Sequence, residues 1–260
     1  MTYGSARRNR ALGTRGDRLQ PKWTRLRRSL APMLQKFAML HTVFWPLALH
    51  GASNCLISDN YALELRRAAT KALGISGAGS NPMLRLSLSD NMSNDPGYFQ
   101  LQLCVHTMRR MLRKVPDLLH MWKIWMRGFL GKTVPGPFSR LLECLSGIGW
   151  AIVEPPMIQD HEGHVWDLLT LDNKTLTAQL RDGWLQYVAS QTKHKTMHGL
   201  HGIDGQLTLL DTANMLPLER ARLSALHSGA FISNYEHAKY DEEKTPFCTV
   251  CNIEDDREHW

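Results

Sequence analysis

The chain has 260 residues, 43% of them hydrophobic, which is enough to form one large or two small packed cores. No run of about eighteen apolar residues occurs and the Arg-rich N-terminus lacks the apolar segment of a signal peptide, so membrane and secreted proteins are disfavoured and an intracellular location is expected. Five cysteines, of which only Cys248 and Cys251 are closely spaced, do not fit a disulfide framework.

The net charge of +7 is unevenly distributed along the chain. Residues 1–140 hold 22 Lys and Arg against 6 Asp and Glu, whereas residues 141–260 hold 9 against 18. A strongly cationic half is typical of proteins that lie against a polyanion, with nucleic acid the first candidate and an acidic membrane surface the second. A basic surface that only keeps the protein soluble is the alternative interpretation.

Residues 1–21 are expected to form a disordered basic arm, because five arginines lie there among Gly, Ser and Thr with little apolar surface. From Lys22 to Phe37 apolar residues recur at three- and four-residue spacing, which predicts an amphipathic helix that Pro32 kinks or splits. The dense apolar segment 43–50 is predicted to join the core.

A further helix is predicted because the sequence contains a typical helix start and a typical helix end. The sequence Ser58-Asp59-Asn60 offers N-cap chemistry, and Gly74 can end the helix after Leu73 in the left-handed conformation that side chains resist. The glycine-rich stretch 74–80 does not match a phosphate-binding P-loop, because the Gly-Lys-Ser/Thr ending is absent.

Asp95-Pro96 is a typical helix start, and helical periodicity continues from there to Lys114, where Val115-Pro116 breaks it. The next helix carries Trp122 and Trp125. Tryptophans can stack on unpaired bases, but at helical spacing beside leucines they are interpreted as core residues.

Arginines recur on the polar sides of these predicted helices. These arginines could contact phosphates, or they could simply be solvated. Those at the end of the helix that finishes at Lys114 could instead interact favourably with the helix dipole. Phosphate contacts neutralise charge without reading base sequence, so affinity is expected to fall steeply with salt. The candidate nucleic-acid-binding residues are Arg25, Arg28, Arg66, Arg67, Arg109, Arg110 and Arg113.

Residues 131–137 form the clearest predicted linker, and the sign of the charge changes there. The elements expected after it are a helix over 138–146, a hairpin of strands 149–153 and 165–171 with a turn at 160–164, a helix capped by Thr175 or Thr177, and a last helix over 217–230.

Cys248, Cys251 and His259 have the spacing of a zinc knuckle, in which a tight turn directs two thiolates at one ion and a loop returns the imidazole. Structural zinc sites are almost always four-coordinate, so we expect an incomplete site, weak zinc binding and a chain that is part of a longer protein. The run His194-x₃-His198-x₂-His201 is a second possible metal set, which two intervening glycines disfavour.

A set of short motifs extends along nearly the whole chain. They are Trp23-x₂-Leu26-Arg27-x-Ser29-Leu30-Ala31-Pro32, Trp45-Pro46-x-Ala48-Leu49-His50-Gly51, Leu65-Arg66-x₂-Ala69-x-Lys71-Ala72-Leu73, Asn81-Pro82-Met83-Leu84, Asp95-Pro96-x-Tyr98-Phe99, Leu145-x-Gly147-x-Gly149-Trp150, His201-Gly202-Ile203-Asp204, Leu223-x₂-Leu226-x₂-Gly229-Ala230-Phe231 and Cys248-x₂-Cys251-x₇-His259. Together they resemble the C-terminal region of reverse transcriptases from LINE-type, non-LTR retrotransposons, and the cysteine–histidine motif is the most specific of them.

The resemblance implies a non-catalytic region of an RNA-directed DNA polymerase that binds RNA or an RNA–DNA hybrid in the nucleus, with no membrane partner. The polymerase centre of the family holds two magnesium ions on aspartates, two of them paired after an aromatic and one further residue. No Tyr/Phe-x-Asp-Asp occurs in this chain, and Asp255-Asp256 follows Ile-Glu instead. Magnesium would belong to a polymerase domain outside this chain, so we expect no polymerase activity from the chain alone.

The pattern and the resemblance together predict a mainly α fold of the α+β class. The expected order is a disordered basic arm over 1–21, a basic helical thumb-like domain over 22–130, a linker over 131–137, an acidic connection domain with a β-hairpin over 138–230, and the approach to a truncated Cys-Cys-His zinc knuckle over 231–260.

Three other functions remain open at the level of sequence. One is a cellular zinc-dependent interaction protein with no mobile-element ancestry, and another is an enzyme that holds a metal on His194, His198 and His201. The third is a decayed fragment without a present function.

Overall fold

The structure, a computed structural model, describes residues 18–53, 57–76, 81–87, 94–128, 136–191, 238, 245–247 and 251–254. Helices dominate these residues, and a small antiparallel sheet is inserted near the end of the helical series. The expected mainly α, α+β fold is therefore confirmed.

The first helix begins earlier than its apolar pattern predicts. Helix α1 covers residues 18–28, so the expected disordered arm over 1–21 is wrong for residues 18–21. The physical reason is Leu19, only 2% exposed, which extends the buried stripe of Trp23 and Leu26 by one turn. Residues 1–17 lie outside the described residues.

Pro32 splits the N-terminal helical pattern, as predicted. Helix α2 spans Met33–Met39 with Pro32 at its N-cap, a π-helical turn follows at Leu40–Phe44, and α3 spans Trp45–Ala48. Proline suits such a boundary because it lacks the N–H that an interior helical position would donate. The apolar segment 43–50 contributes Phe44, Trp45, Ala48 and Leu49 to the core, which confirms its predicted burial.

Helix α4 has the bounds that its end signals predict. It spans Asp59–Leu73, the Ser58 hydroxyl accepts a hydrogen bond from the Tyr61 amide, and Gly74 ends it at φ +74°. This φ lies in the left-handed region, where a side chain is disfavoured. Helix α5 spans Pro82–Ser87 and begins directly after Asn81.

Three longer helices follow. Helix α6 spans Pro96–Lys114 with Asp95 as its N-cap, α7 spans Asp117–Gly128, and α8 spans Pro137–Gly147. The break at Val115-Pro116 and the start at Asp95-Pro96 agree with the sequence-based prediction. In α7 the Trp122 side chain is fully buried and Trp125 is partly buried against the same core, as predicted.

The sheet has three strands rather than the two predicted. Strands β1 (Ala151–Glu154), β2 (Met157–Gln159) and β3 (Val165–Asp167) form an antiparallel meander, followed by α9 (Asn173–Ser190). Asp172, and neither Thr175 nor Thr177, caps α9, because its carboxylate accepts from the amides of Lys174 and Thr175. The third strand completes what would be a marginal isolated hairpin.

Buried apolar residues form two clusters. The N-terminal core joins α1–α4 with Leu86 of α5, and the C-terminal core joins Met83 and Leu84 of α5 with α6–α9 and the sheet. The C-terminal core takes residues from both sides of the predicted linker at 131–137, with Leu101 and Val105 of α6 in the same cluster as Leu141 and Leu145 of α8. Packing therefore does not divide at that linker. The two clusters meet instead at α5, which contributes to both.

Candidate nucleic-acid interface

The basic side chains of α1 leave the helix on the sides that its core residues do not use. Leu19, Trp23 and Leu26 face the N-terminal core, whereas Arg25, Arg27 and Arg28 are exposed. At 100° per residue, Arg27 flanks the buried stripe on one side, Arg25 flanks it on the other, and Arg28 lies opposite the stripe. The three arginines therefore point in different directions.

The adjacent arginines of α4 have different environments. Arg67 is exposed, whereas Arg66 turns inward and donates to Asp95 from Nε at 2.7 Å and from Nη2 at 3.0 Å. Burial alone lowers the pKa of Arg66, but the charge of Asp95 and its hydrogen bond outweigh burial and raise it. Arg66 is therefore committed to an internal ion pair, and we do not assign it to the proposed phosphate contacts.

A basic cleft lies between α1 and the C-terminal part of α4. It has a volume of about 480 Å³, and Arg27, Arg67 and Lys71 are the charged residues in its lining. The remaining lining residues are small or polar: Thr70, Gly74, Ser76 and Pro82. Of the ion pairs formed among described residues, none involves the three cations. Their charge is thus available to an external anion.

The arginine cluster near the end of α6 is largely structural. Arg109 is only 4% exposed, and it donates to Asn173 Oδ1 at 3.0 Å and to the Leu171 carbonyl oxygen. Burial lowers its pKa, and the positive charge of Arg113 adds to that effect. The Arg109 side chain thus joins α6 to Leu171 and to the first residue of α9, and we do not assign it to the proposed phosphate contacts.

Arg113 and Arg110 remain on the surface at the same end of α6. Arg113 donates from Nη2 to the Leu169 carbonyl oxygen at 2.8 Å, which uses part of its guanidinium. Arg110 is exposed and belongs to none of the ion pairs of the described residues. Neither residue lines the basic cleft. The seven predicted arginines therefore do not form one surface, and Arg67 is the only one of them in the cleft lining.

The tryptophans of α7 are not presented for base stacking. Trp122 is fully buried and stacks on Phe138 of α8, with ring centroids 5.6 Å apart and planes 5° apart. Trp125 packs at an angle on the same phenylalanine ring. Both rings contribute to the C-terminal core, as their helical spacing predicts.

Only part of the predicted zinc knuckle is described. Cys251 is exposed at a turn, Asn252 has φ +58°, and Phe247 pairs with Glu254 in an isolated antiparallel bridge. Cys248 and His259 lie outside the described residues, as do the three histidines between 194 and 201. Within the described part of the chain, no group of three or more His, Cys, Asp or Glu side chains is arranged to hold a metal ion.

Comparisons of the chain with protein-family models, with curated proteins and with solved structures find no match. Among the helices that the structure describes, none is long and apolar enough to cross a membrane.

Proposed function

We propose that this chain binds the phosphate backbone of nucleic acid, and that the basic cleft lined by Arg27, Arg67 and Lys71 is its main contact. The observation that carries the proposal is the grouping of three cations in one concave surface whose described lining contains no carboxylate. A phosphodiester chain offers negative charges at short, regular intervals, which suits several cations grouped on one surface.

The chemistry of the cleft favours binding without base readout. Arginine can hold a phosphate through two parallel N–H groups, and lysine adds a mobile point charge. Among the residues that the structure describes, the lining has no aromatic ring on which a base could stack, and Thr70 already donates its hydroxyl to backbone carbonyl oxygens within α4. Such a site positions the backbone and leaves sequence discrimination to other contacts.

The surrounding charge supports the same conclusion. Arg25 and Arg28 are exposed on α1, and residues 1–140 as a whole carry the strong positive charge described above. Additional cations around a cleft attract a polyanion over a distance of about 10 Å at moderate salt. We assign these two arginines to steering rather than to the cleft itself.

The resemblance to LINE-type reverse transcriptases supplies the substrate class for this proposal. In such a protein, a helical thumb-like region that carries a basic cleft would grip RNA or an RNA–DNA hybrid beside the polymerase centre. The motif Leu65-Arg66-x₂-Ala69-x-Lys71 lies in α4, which borders the cleft. The chain would then contribute binding, and the aspartates that hold magnesium would come from a polymerase domain.

The C-terminal segment favours zinc as a second proposed ligand. The bridge between Phe247 and Glu254 brings the two sides of the Cys248–Cys251 segment together, and Asn252 supplies a left-handed residue next to Cys251. Two thiolates with an imidazole form a donor set that suits zinc. Cys248, Cys251 and His259 would hold the ion.

Filter binding of the full chain to an RNA–DNA hybrid tests the main proposal. We expect tight binding at low salt and a steep linear fall of the logarithm of affinity with the logarithm of salt concentration. A flat response over the same range would contradict backbone binding.

A further inference from the structure

Two cysteine side chains from different helices face each other inside the C-terminal core. Cys104 lies in α6 and Cys144 in α8, their Sγ atoms are 3.6 Å apart, and neither forms a disulfide. The two sulfurs are within hydrogen-bonding distance of each other, and Cys104 Sγ also lies 3.8 Å from the Ala52 carbonyl oxygen. The two sulfurs would need to move closer by only about 1.6 Å to reach the bond length of a disulfide.

A narrow cleft gives small molecules access to one of the two sulfurs. Cys144 lines this cleft, which has a volume of about 160 Å³, whereas Cys104 is not in its lining and is only 3% exposed. Because a water molecule occupies about 30 Å³ in the liquid, a small peroxide fits in the cleft. An oxidant that enters would therefore meet Cys144 first.

The surroundings of Cys144 also favour its reactive, ionised form. A hydrogen bond that Cys104 can donate to the ionised Cys144 sulfur lowers the pKa of the Cys144 thiol, and the positive charge of Arg140 lowers it further, against the opposing effect of burial. The thiolate is the nucleophile in reactions with peroxides, so a lowered pKa and access through the cleft act in the same direction.

We propose that Cys104 and Cys144 form a redox-active pair, which a small peroxide converts to a disulfide that joins α6 to α8. In the first step the Cys144 thiolate attacks one peroxide oxygen, the O–O bond breaks, and the leaving hydroxide takes a proton to become water. The product is Cys144 sulfenic acid. In the second step Cys104 sulfur attacks Cys144 sulfur, the S–O bond breaks, and the second oxygen leaves as water with the Cys104 proton. Two thiols and one peroxide thus give one disulfide and two waters.

The position of the pair gives the modification a structural consequence. Helices α6 and α8 already contribute residues to the same core, so a bond between them would fix an existing contact rather than create a new one. In a reducing compartment such a bond is transient, which is typical of a redox-sensing pair. We expect oxidation to raise the thermal unfolding midpoint and reduction to reverse the change.

The test uses the full chain with Cys55, Cys248 and Cys251 replaced by Ser, so that only the pair remains. After treatment with hydrogen peroxide and alkylation of the remaining thiols, peptide mass spectrometry should find a Cys104–Cys144 linkage, two hydrogen masses lighter, that dithiothreitol removes. The same peptide mapping of the oxidised wild-type chain shows whether the linkage also forms without the three substitutions.

Two single substitutions made in the same background separate the roles of the sulfurs. Cys104→Ser should leave Cys144 to accumulate as sulfenic acid, which dimedone traps, whereas Cys144→Ser should leave Cys104 unmodified. The proposal is overturned if the oxidised protein contains only unlinked or over-oxidised cysteines, or if linkage occurs only between molecules.

Discussion

The guanidinium of Arg66 grips the carboxylate of Asp95 at two points, Nε to Oδ2 at 2.7 Å and Nη2 to Oδ1 at 3.0 Å. The same carboxylate accepts the Gly97 amide at 2.7 Å and so caps α6. Asp95 is completely buried, and Arg66 belongs to α4, so the pair connects the helix that borders the basic cleft with the first turn of α6.

Loss of Asp95 should destabilise the protein strongly. Asp95→Ala removes the cap of α6 and leaves the mostly buried Arg66 charge without its partner, so we expect the free energy of unfolding to fall by about 3 to 5 kcal/mol. Urea denaturation followed by circular dichroism measures the change. Asp117→Ala removes an exposed aspartate from the first turn of α7 and should cost less than about 1 kcal/mol. Equal losses for the two variants would contradict the structural role of the pair.

Alanine substitutions at the neighbouring Arg109 and Arg110 should have different effects on the stability of the protein. Arg109→Ala removes the buried hydrogen bonds to Asn173 and Leu171, so the free energy of unfolding should fall by about 2 to 4 kcal/mol. The affinity of the folded variant for nucleic acid should equal that of the wild type. Arg110→Ala, at an exposed position, should leave stability within about 0.5 kcal/mol. If Arg109→Ala lowered the affinity for nucleic acid without lowering stability, Arg109 would contact phosphate and its proposed structural role would be contradicted.

Asp160 should make stability depend on pH on the acid side. Burial raises the pKa of its carboxyl, but hydrogen bonds from the Trp166 indole, from the amides of His164 and Glu162 and from the His164 ring outweigh burial and lower it. A lowered folded pKa means that the carboxylate stabilises the fold above the unfolded value of about 3.9, and that this stabilisation is lost as pH falls through the folded value.

Asp160→Asn tests this pH dependence. The variant should be less stable than the wild type at pH 7, by about 1 to 2 kcal/mol, and the difference should shrink as the pH is lowered from about 5. Urea denaturation at a series of pH values measures both quantities. Glu64→Gln, at an exposed position of α4, should leave the acid side of the profile unchanged. A difference between Asp160→Asn and wild type that stays constant across the series would contradict the assignment.

The zinc proposal predicts a specific loss of metal. Cys248→Ser and Cys251→Ser should each lower the zinc content, measured by elemental analysis after dialysis at a fixed free zinc concentration, because each variant keeps only two of the three ligands. Cys55→Ser removes a thiol distant in sequence and should leave the zinc content unchanged. If both variants kept the zinc content of the wild type, the ion would be bound elsewhere in the chain. The histidines between 194 and 201 would then be the next residues to replace.

Local signals predicted most of the helical framework. Helix ends depend on chemistry within a few residues and can therefore be predicted from the sequence. Examples are the N-cap Ser58, the C-terminal Gly74 and the helix start at Asp95-Pro96. Strand β2 has three residues of which only Ile158 is buried, so it is too short to show the alternating pattern that predicts a strand. Strand β3 ends at Asp167, whose carboxylate accepts the Leu169 amide and starts a turn before the predicted end at 171.

The arginine roles could not be predicted from the sequence, because they depend on partners far along the chain. Asp95 is 29 residues from Arg66, and the Leu171 carbonyl is 62 residues from Arg109, so no local pattern distinguishes these arginines from exposed ones. Arg27 and Lys71 were omitted from the candidate set although they line the cleft. For Lys71 the sequence does hold one signal, because Lys71 lies one helical turn after Arg67 and therefore on the same side of α4.

Backbone binding by the basic cleft can be measured through the salt dependence of affinity in two charge-matched triple variants. One variant combines Arg27→Ala, Arg67→Ala and Lys71→Ala, and the control combines Lys114→Ala, Arg127→Ala and Lys174→Ala, three exposed cations outside the cleft. Fluorescence anisotropy with an RNA–DNA hybrid between about 50 and 200 mM salt gives the slope of log affinity against log salt for each. We predict that the cleft variant loses about 2 to 3 from the magnitude of this slope and binds more weakly at every salt concentration, while the control stays near the wild type. Equal slopes in the two variants would contradict the claim.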